Sequence, residues 1–169
     1  MSQLWLVKRP HSSAWPSQGL ATPIVRAWNA LEQDLSYRYL NELPQWVQED
    51  TNNSVFPLQT LQTLSGSAAQ QVAGLHYVVE TDVLPDMEAE FNAWYEQEHL
   101  PGLASVPGTV RAVRYRQEPG RPRYWACYDL VHAEVLGSPA WLKVRATPWS
   151  DRVRPAFRNT QRTLFRRAP

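Results

Sequence analysis

Among the 169 residues there is one cysteine, Cys127, so no disulfide can close within the chain and no cysteine cluster can hold zinc. Glycine is scarce at seven residues, and none of them forms a dinucleotide or phosphate loop or brackets a serine as a nucleophile elbow does. NAD, ATP and serine-hydrolase chemistry drop out on that ground. No apolar run approaches the roughly 20 residues that span a bilayer. Met1 to Pro10 carries Lys8, Arg9 and Pro10 where a secretion signal needs an apolar core, so the expected location is the cytoplasm, with no membrane partner. Net charge is only +1, which gives no overall field for nucleic acid. What is present is a globular composition, 43% hydrophobic and 20% charged, at a length that suits one domain with an appendage.

The balanced total hides a polarity along the chain. Residues 1–110 hold four basic and twelve acidic side chains, and residues 111–169 hold thirteen and four. The arginines at the end (Arg152, Arg154, Arg158, Arg162, Arg166 and Arg167) are interleaved with apolar residues and do not form a single run. The plain reading is a basic strand face and salt bridges to acidic helices; an anionic substrate or nucleic acid is the alternative.

Gln3 to Lys8 reads as a short buried strand. Thr22 and Pro23 supply a cap and a first-turn proline, and Ile24, Trp28, Leu31 and Leu35 predict a helix that runs to Pro44. Val55 to Leu64 is read as a strand, and the small, polar Ser65 to Gly74 separates an N-terminal unit, residues 1–66, from a main domain, residues 74–169. In the main domain Leu75 to Leu84 alternates as a strand. A helix with the stripe Met87, Phe91 and Trp94 follows and is expected to end at Pro101 and Gly102. Thr109 to Arg116 and Arg123 to Val131 form a hairpin, a helical region restarts at Pro139, Trp149 to Arg154 is a further helical piece, and Arg158 to Arg167 is a closing strand. Strand, helix, strand, strand, helix, strand is the α+β, ferredoxin-like arrangement. Tyr39 to Pro44 lines up with Glu96 to Pro101, each placed at a helix end, which suggests that the N-terminal unit is a degenerate half-repeat.

The run Phe91-Asn92-Ala93-Trp94-Tyr95-Glu96-Gln97-Glu98-His99-Leu100-Pro101, followed by Val106-Pro107-Gly108 and Arg114-Tyr115, resembles the EthD-like branch of the dimeric α+β barrel superfamily. The resemblance continues through Ser138-Pro139-Ala140-Trp141 and Pro148 to Asn159, covering roughly residues 74–169. It implies a four-stranded sheet that pairs with a second sheet into a barrel, usually in a homodimer, with a pocket between sheet and helices. Members and cousins include cofactor-free monooxygenases of aromatic polyketides, isomerases, decarboxylases, cyclases and haem enzymes, so the fold does not name a reaction.

Within that frame His99 is the candidate general acid or base, since imidazole titrates near neutral pH. The competing reading is a histidine in a helix's last turn that bonds free carbonyls. Tyr95 and Tyr128 would orient a substrate oxygen, Arg114 would offset developing negative charge, and Trp94, Tyr115, Trp125 and Trp149 would shape an aromatic pocket. Strand alternation sends Tyr124 and Tyr128 to one face and Trp125 to the other. Glu96 and His99 have helical ligand spacing, but no second such pair exists for a di-iron site, and His11, His76 and His132 are scattered. Haem would need an axial ligand, and nothing in the sequence singles out His99 or His132 for that role. The expectation is a homodimeric barrel that binds a small apolar or aromatic molecule, with no metal or nucleotide cofactor. If catalytic, it would be an oxidoreductase, isomerase or lyase. The rival is a non-catalytic ligand carrier or assembly module.

Overall fold

The structure, a computed structural model, describes residues 3–15 and 24–169. Its strands are β1 (Leu4–Arg9), β2 (Ile24–Ala30), β3 (Ser36–Leu40), β4 (Ser54–Ser65), β5 (Leu75–Val83), β6 (Thr109–Arg116), β7 (Tyr124–Leu130) and β8 (Phe157–Arg167). A single helical turn, α1 (Gln45–Glu49), lies between β3 and β4. Two helices, α2 (Glu88–Trp94) and α3 (Leu100–Ser105), lie between β5 and β6, and two more, α4 (Pro139–Arg145) and α5 (Pro148–Val153), between β7 and β8.

All seven residues of β7 are buried, because apolar side chains leave the strand on both faces and both faces are covered. β5 and β6 flank β7, and β8 flanks β5, all antiparallel. The order β8-β5-β7-β6 with its two helical connections is the ferredoxin-like βαββαβ unit expected for residues 74–169. The N-terminal strands repeat that order as β4-β1-β3-β2, and the two sheets join edge to edge through β2–β8 and β4–β6. Eight strands thus close a barrel within one chain. The second sheet, which the resemblance assigns to a partner chain, comes here from the N-terminal half.

One expectation for that half fails. Residues 24–40 form the hairpin β2–β3, not a helix, with Trp28 opposite Tyr37. Ile24 and Trp28 are four apart, a spacing that places two side chains on one face of a strand as readily as on one face of a helix. Leu31 and Leu35 flank the turn, and Leu31 is half exposed. Thr22 and Pro23, the expected cap, lie outside the described residues. The alignment of Tyr39–Pro44 with Glu96–Pro101 therefore sets a strand end against a helical turn and carries no structural equivalence.

The first helical connection also runs further than expected. After α2 the backbone widens into one π turn over Tyr95–His99 and continues as α3 to Ser105. Pro101 has no N–H to give to the Gln97 carbonyl and its ring would crowd it, so a wider turn accommodates the proline without ending the helix. On the second connection Ser138 caps α4 by accepting from the Trp141 N–H at 3.2 Å, and Thr147 caps α5 by accepting from Ser150 at 3.1 Å. Proline stands in the first turn of both, as the sequence predicts for Pro139; α5 starts one residue before the expected Trp149, at Pro148. No helix among the described residues is long and apolar enough to cross a membrane.

Two cores result. Helix-facing residues such as Val79, Phe91, Trp94, Tyr128 and Trp141 pack between sheet and helices. The barrel interior holds Leu6, Trp28, Tyr37, Tyr39, Tyr115, Trp125 and Phe165.

Candidate functional site

Between the C-terminal sheet and its helices lies a cavity of about 30 Å³, room for one or two waters. Its inner wall is aromatic, formed by Trp94, Tyr95, Tyr128 and Trp141 with Tyr77 and Phe157. His99 enters from the π turn and is only 7% exposed. The Trp94 indole stacks on its imidazole at 4.1 Å between centroids, and Tyr95 meets it edge-on at 5.3 Å. Glu98 fixes the Trp94 ring, accepting from its Nε1 at 3.0 Å and from Thr147 Oγ1 at 2.8 Å, which ties the π turn to the start of α5. The carboxylate beside His99 is therefore engaged in positioning the ring.

The His99 Nδ1 is buried without a hydrogen-bond partner among the described residues, as is the Tyr128 hydroxyl. A buried, unmade hydrogen bond costs on the order of 1–3 kcal/mol, so two orphans on one cavity need an explanation beyond packing. The carbonyl-bonding role suggested for a last-turn histidine does not hold, because the helix continues beyond His99 and Nδ1 bonds nothing. Burial, followed by the positive charges of Arg145, Arg154 and Arg114, pushes the imidazole down to about 3. At neutral pH His99 is uncharged, so it can receive a proton but holds no second one to donate. Burial pushes Tyr95 up to about 12 and Tyr128 well above its ordinary value, so both stay protonated hydroxyls. Neutral imidazole and two phenols can accept and donate hydrogen bonds to a ligand, and the nearby guanidinium charge can stabilise an anion, while a value near 3 makes the imidazole a weak base in the empty cavity.

The expected site residues divide. His99, Tyr95, Trp94 and Tyr128 meet on the cavity. Arg114 does not line it; the guanidinium sits behind Tyr95, 4.2 Å from that ring's centroid, and donates to Asn92 Oδ1 at 2.8 Å. Trp149 packs against the helix-side core without reaching the cavity wall. Tyr115 and Trp125 are corrected to the barrel interior: they face each other across β6–β7, one residue out of phase with Tyr128 and Arg114. There they serve a polar seam between the halves. Trp125 Nε1 donates to Glu80 at 2.5 Å, Tyr37 donates to Glu80 at 2.8 Å, and Lys8 pairs with the same carboxylate. Tyr115 accepts from Arg26 at 3.0 Å, and His76 bridges Asp129 at 2.6 Å and the Tyr39 hydroxyl at 2.8 Å.

Sequence reasoning missed Tyr77, Trp141 and Arg145 as site residues and gave Arg154 and Arg162 to solvent. A signal for Arg162 existed: it pairs in register with Val79 and is two residues from Leu164, which pairs with Tyr77, so it shares the helix-side face. Arg152 does make the surface salt bridge that was expected, to Glu90.

A closed barrel made of two ferredoxin-like sheets, with helices over one of them, is the dimeric α+β barrel fold. No family model matches the chain, and no curated protein does. Solved structures share the whole architecture. A candidate monooxygenase from Fusobacterium nucleatum subsp. nucleatum superposes with a TM-score of 0.65 at 10% identity, covering 99% of this chain and 92% of its own. An anthrone oxidase-like protein gives 0.61 at 10% identity, covering 100% of this chain and 92% of its own. A ferredoxin-fold protein from Listeria monocytogenes, related to antibiotic biosynthesis monooxygenases, gives 0.60 at 9% identity over 100% and 96%. At such identities the likeness establishes the fold and no activity.

Proposed function

We propose that the chain binds a small, flat, largely apolar or aromatic molecule between its C-terminal sheet and helices and acts on it without metal or nucleotide, with His99 as the proton acceptor. The observation that carries this is the pair of unpartnered polar atoms, His99 Nδ1 and Tyr128 Oη, on one cavity walled by aromatic rings. Trp94 and Tyr95 hold the imidazole, Tyr128 and Tyr95 offer hydroxyls to a substrate oxygen, and Arg114 contributes its charge from behind Tyr95. Within the fold we read the chain as EthD-like on the Phe91–Pro101 motif, with residues 1–66 as a degenerate half-repeat that completes the barrel. We place it in the cytoplasm, which suits the free, buried thiol of Cys127. The name of one of the similar solved structures, an anthrone oxidase-like protein, agrees with an aromatic substrate.

The test is a melting-temperature screen with anthrones, quinones, aromatic acids and lactones on wild type and His99→Ala. Ligand at a hundred times its Kd adds about 2.7 kcal/mol, a visible shift. A shift in wild type that His99→Ala weakens supports the reading. A second reading, a non-catalytic assembly module, draws on the cavity's small size, about 30 Å³ where ligand sites usually run to several hundred. Under it no compound shifts the wild type.

A further inference from the structure

The cavity has an inner and an outer end of different chemistry. His99, Trp94 and Tyr128 are buried at the inner end, while Arg145 and Arg154 are half-buried and Arg162 is exposed at the outer one. These three arginines come from α4, from the turn after α5 and from β8, so only the assembled fold brings them together. Several other arginines find carboxylates, as Arg152 with Glu90, Arg123 with Glu118 and Glu88, and Arg121 with Asp82 do, whereas the exposed Arg158, Arg166 and Arg167 stand dispersed along β8 and its end. Among the described residues none of the three cavity arginines makes an ion pair. Asp151 is near enough for its charge to act on Arg154, and Arg145 and Arg162 repel it. Three like charges gather around one opening and only Asp151, beside Arg154, offsets them in part, so an anion seated among them relieves their mutual repulsion.

We infer that the molecule bound here is an aromatic carboxylate, its carboxylate seated by Arg145, Arg154 and Arg162 at the mouth and its flat apolar body directed inward to His99 and Tyr128. This rests on the cavity being the ligand site. Guanidinium forks match a carboxylate's two oxygens, and the aromatic walls suit an aromatic body, which has to displace side chains to enter a cavity of about 30 Å³. Seating also couples to chemistry, because Arg145 and Arg154 are among the charges that keep protons off His99. An anion that offsets them makes the imidazole a stronger base when the substrate arrives.

The experiment compares 2-naphthoate, its methyl ester and 2-naphthyl phosphate by titration calorimetry. The proteins are wild type, the double variant Arg154→Gln/Arg162→Gln, and Arg166→Gln as a control on the same strand outside the cavity. The His99 imidazole resonance is followed by NMR. The expected result is naphthoate binding about tenfold or more tighter than the ester in wild type and in Arg166→Gln, a preference that collapses in the double variant. Naphthoate should also shift the His99 resonance in wild type. Equal binding of acid and ester overturns the carboxylate assignment and leaves the ligand site standing. Preference for the phosphate overturns the choice of carboxylate, and a preference that survives the double variant overturns the arginine seat. If no probe binds and the His99 resonance never moves, the ligand site itself fails.

Discussion

Removing the Glu80 side chain should expose how strongly the barrel interior binds the two halves together. Glu80 is 3% exposed and accepts from Tyr37 and Trp125 while pairing with Lys8. Glu80→Ala leaves two buried donors unmet and an ammonium that is 16% exposed without its partner. Breaking a buried pair by removing one member costs about 3–5 kcal/mol, and because Lys8 can partly turn to water the lower half of that range applies, about 3–4 kcal/mol. For a chain of this length each kcal/mol is worth roughly 2–4 °C, so the melting temperature should fall by about 6–16 °C. Urea unfolding monitored by tryptophan fluorescence measures the loss. Lys8→Met/Glu80→Leu, which removes the charges together, should recover part of it. A loss below about 1 kcal/mol for Glu80→Ala, or a double variant less stable than Glu80→Ala, would refute the argument.

His99 gives a pH signature. Its folded value is about 3 against 6.5 in the unfolded chain, so between those values the unfolded state binds the extra proton. The contribution is fully present above pH 6.5 and is lost as pH falls through the window, with a slope approaching about 1.4 kcal/mol per pH unit. His99→Gln should flatten the wild-type fall in stability between pH 6.5 and 4, and equal slopes in the two proteins would contradict it. Gly66 and Gly137 form a matched pair: a Cβ on Gly66 would meet the Thr109 carbonyl oxygen at 2.0 Å, while one on Gly137 meets nothing within 4 Å. Gly66→Ala should cost about 1–3 kcal/mol or more in urea and Gly137→Ala almost nothing; equal effects would count against the close approach of β4 and β6. Trp94→Ala should cost about 3–5 kcal/mol and, by removing the indole's ring current, shift the His99 ring-proton resonances downfield; unshifted resonances would show that Trp94 does not stack on the ring.

The C-terminal half was legible because turn residues bound its apolar strands and a proline marks a helix start at Ser138-Pro139. The hairpin at residues 24–40 was not, since Ile24 and Trp28 satisfy both periods and only the pairing with Tyr37 separates them. His99, Trp94 and Tyr95 could be placed together by helical proximity alone, and Tyr128 followed by parity. The same parity, applied to Trp125 and its cross-strand partner Tyr115, would have removed both from the pocket. Arg145 and Arg154 reach the site through the docking of α4 and α5 on the sheet, and no local pattern encodes a docking angle.

Covalent joining of the two sheets changes what the barrel can become. When identical chains build it, each position recurs under the two-fold axis, and every site is present in duplicate. Here β1 and β5 are the corresponding first strands of the two halves, yet one places Lys8 and the other Glu80 in a single ion pair. The halves also differ in their helices, with α2 to α5 over one sheet and a single turn, α1, in the other half's second connection. Closure of this barrel is unimolecular and indifferent to dilution, and saturation of the cavity should stop at one ligand per chain.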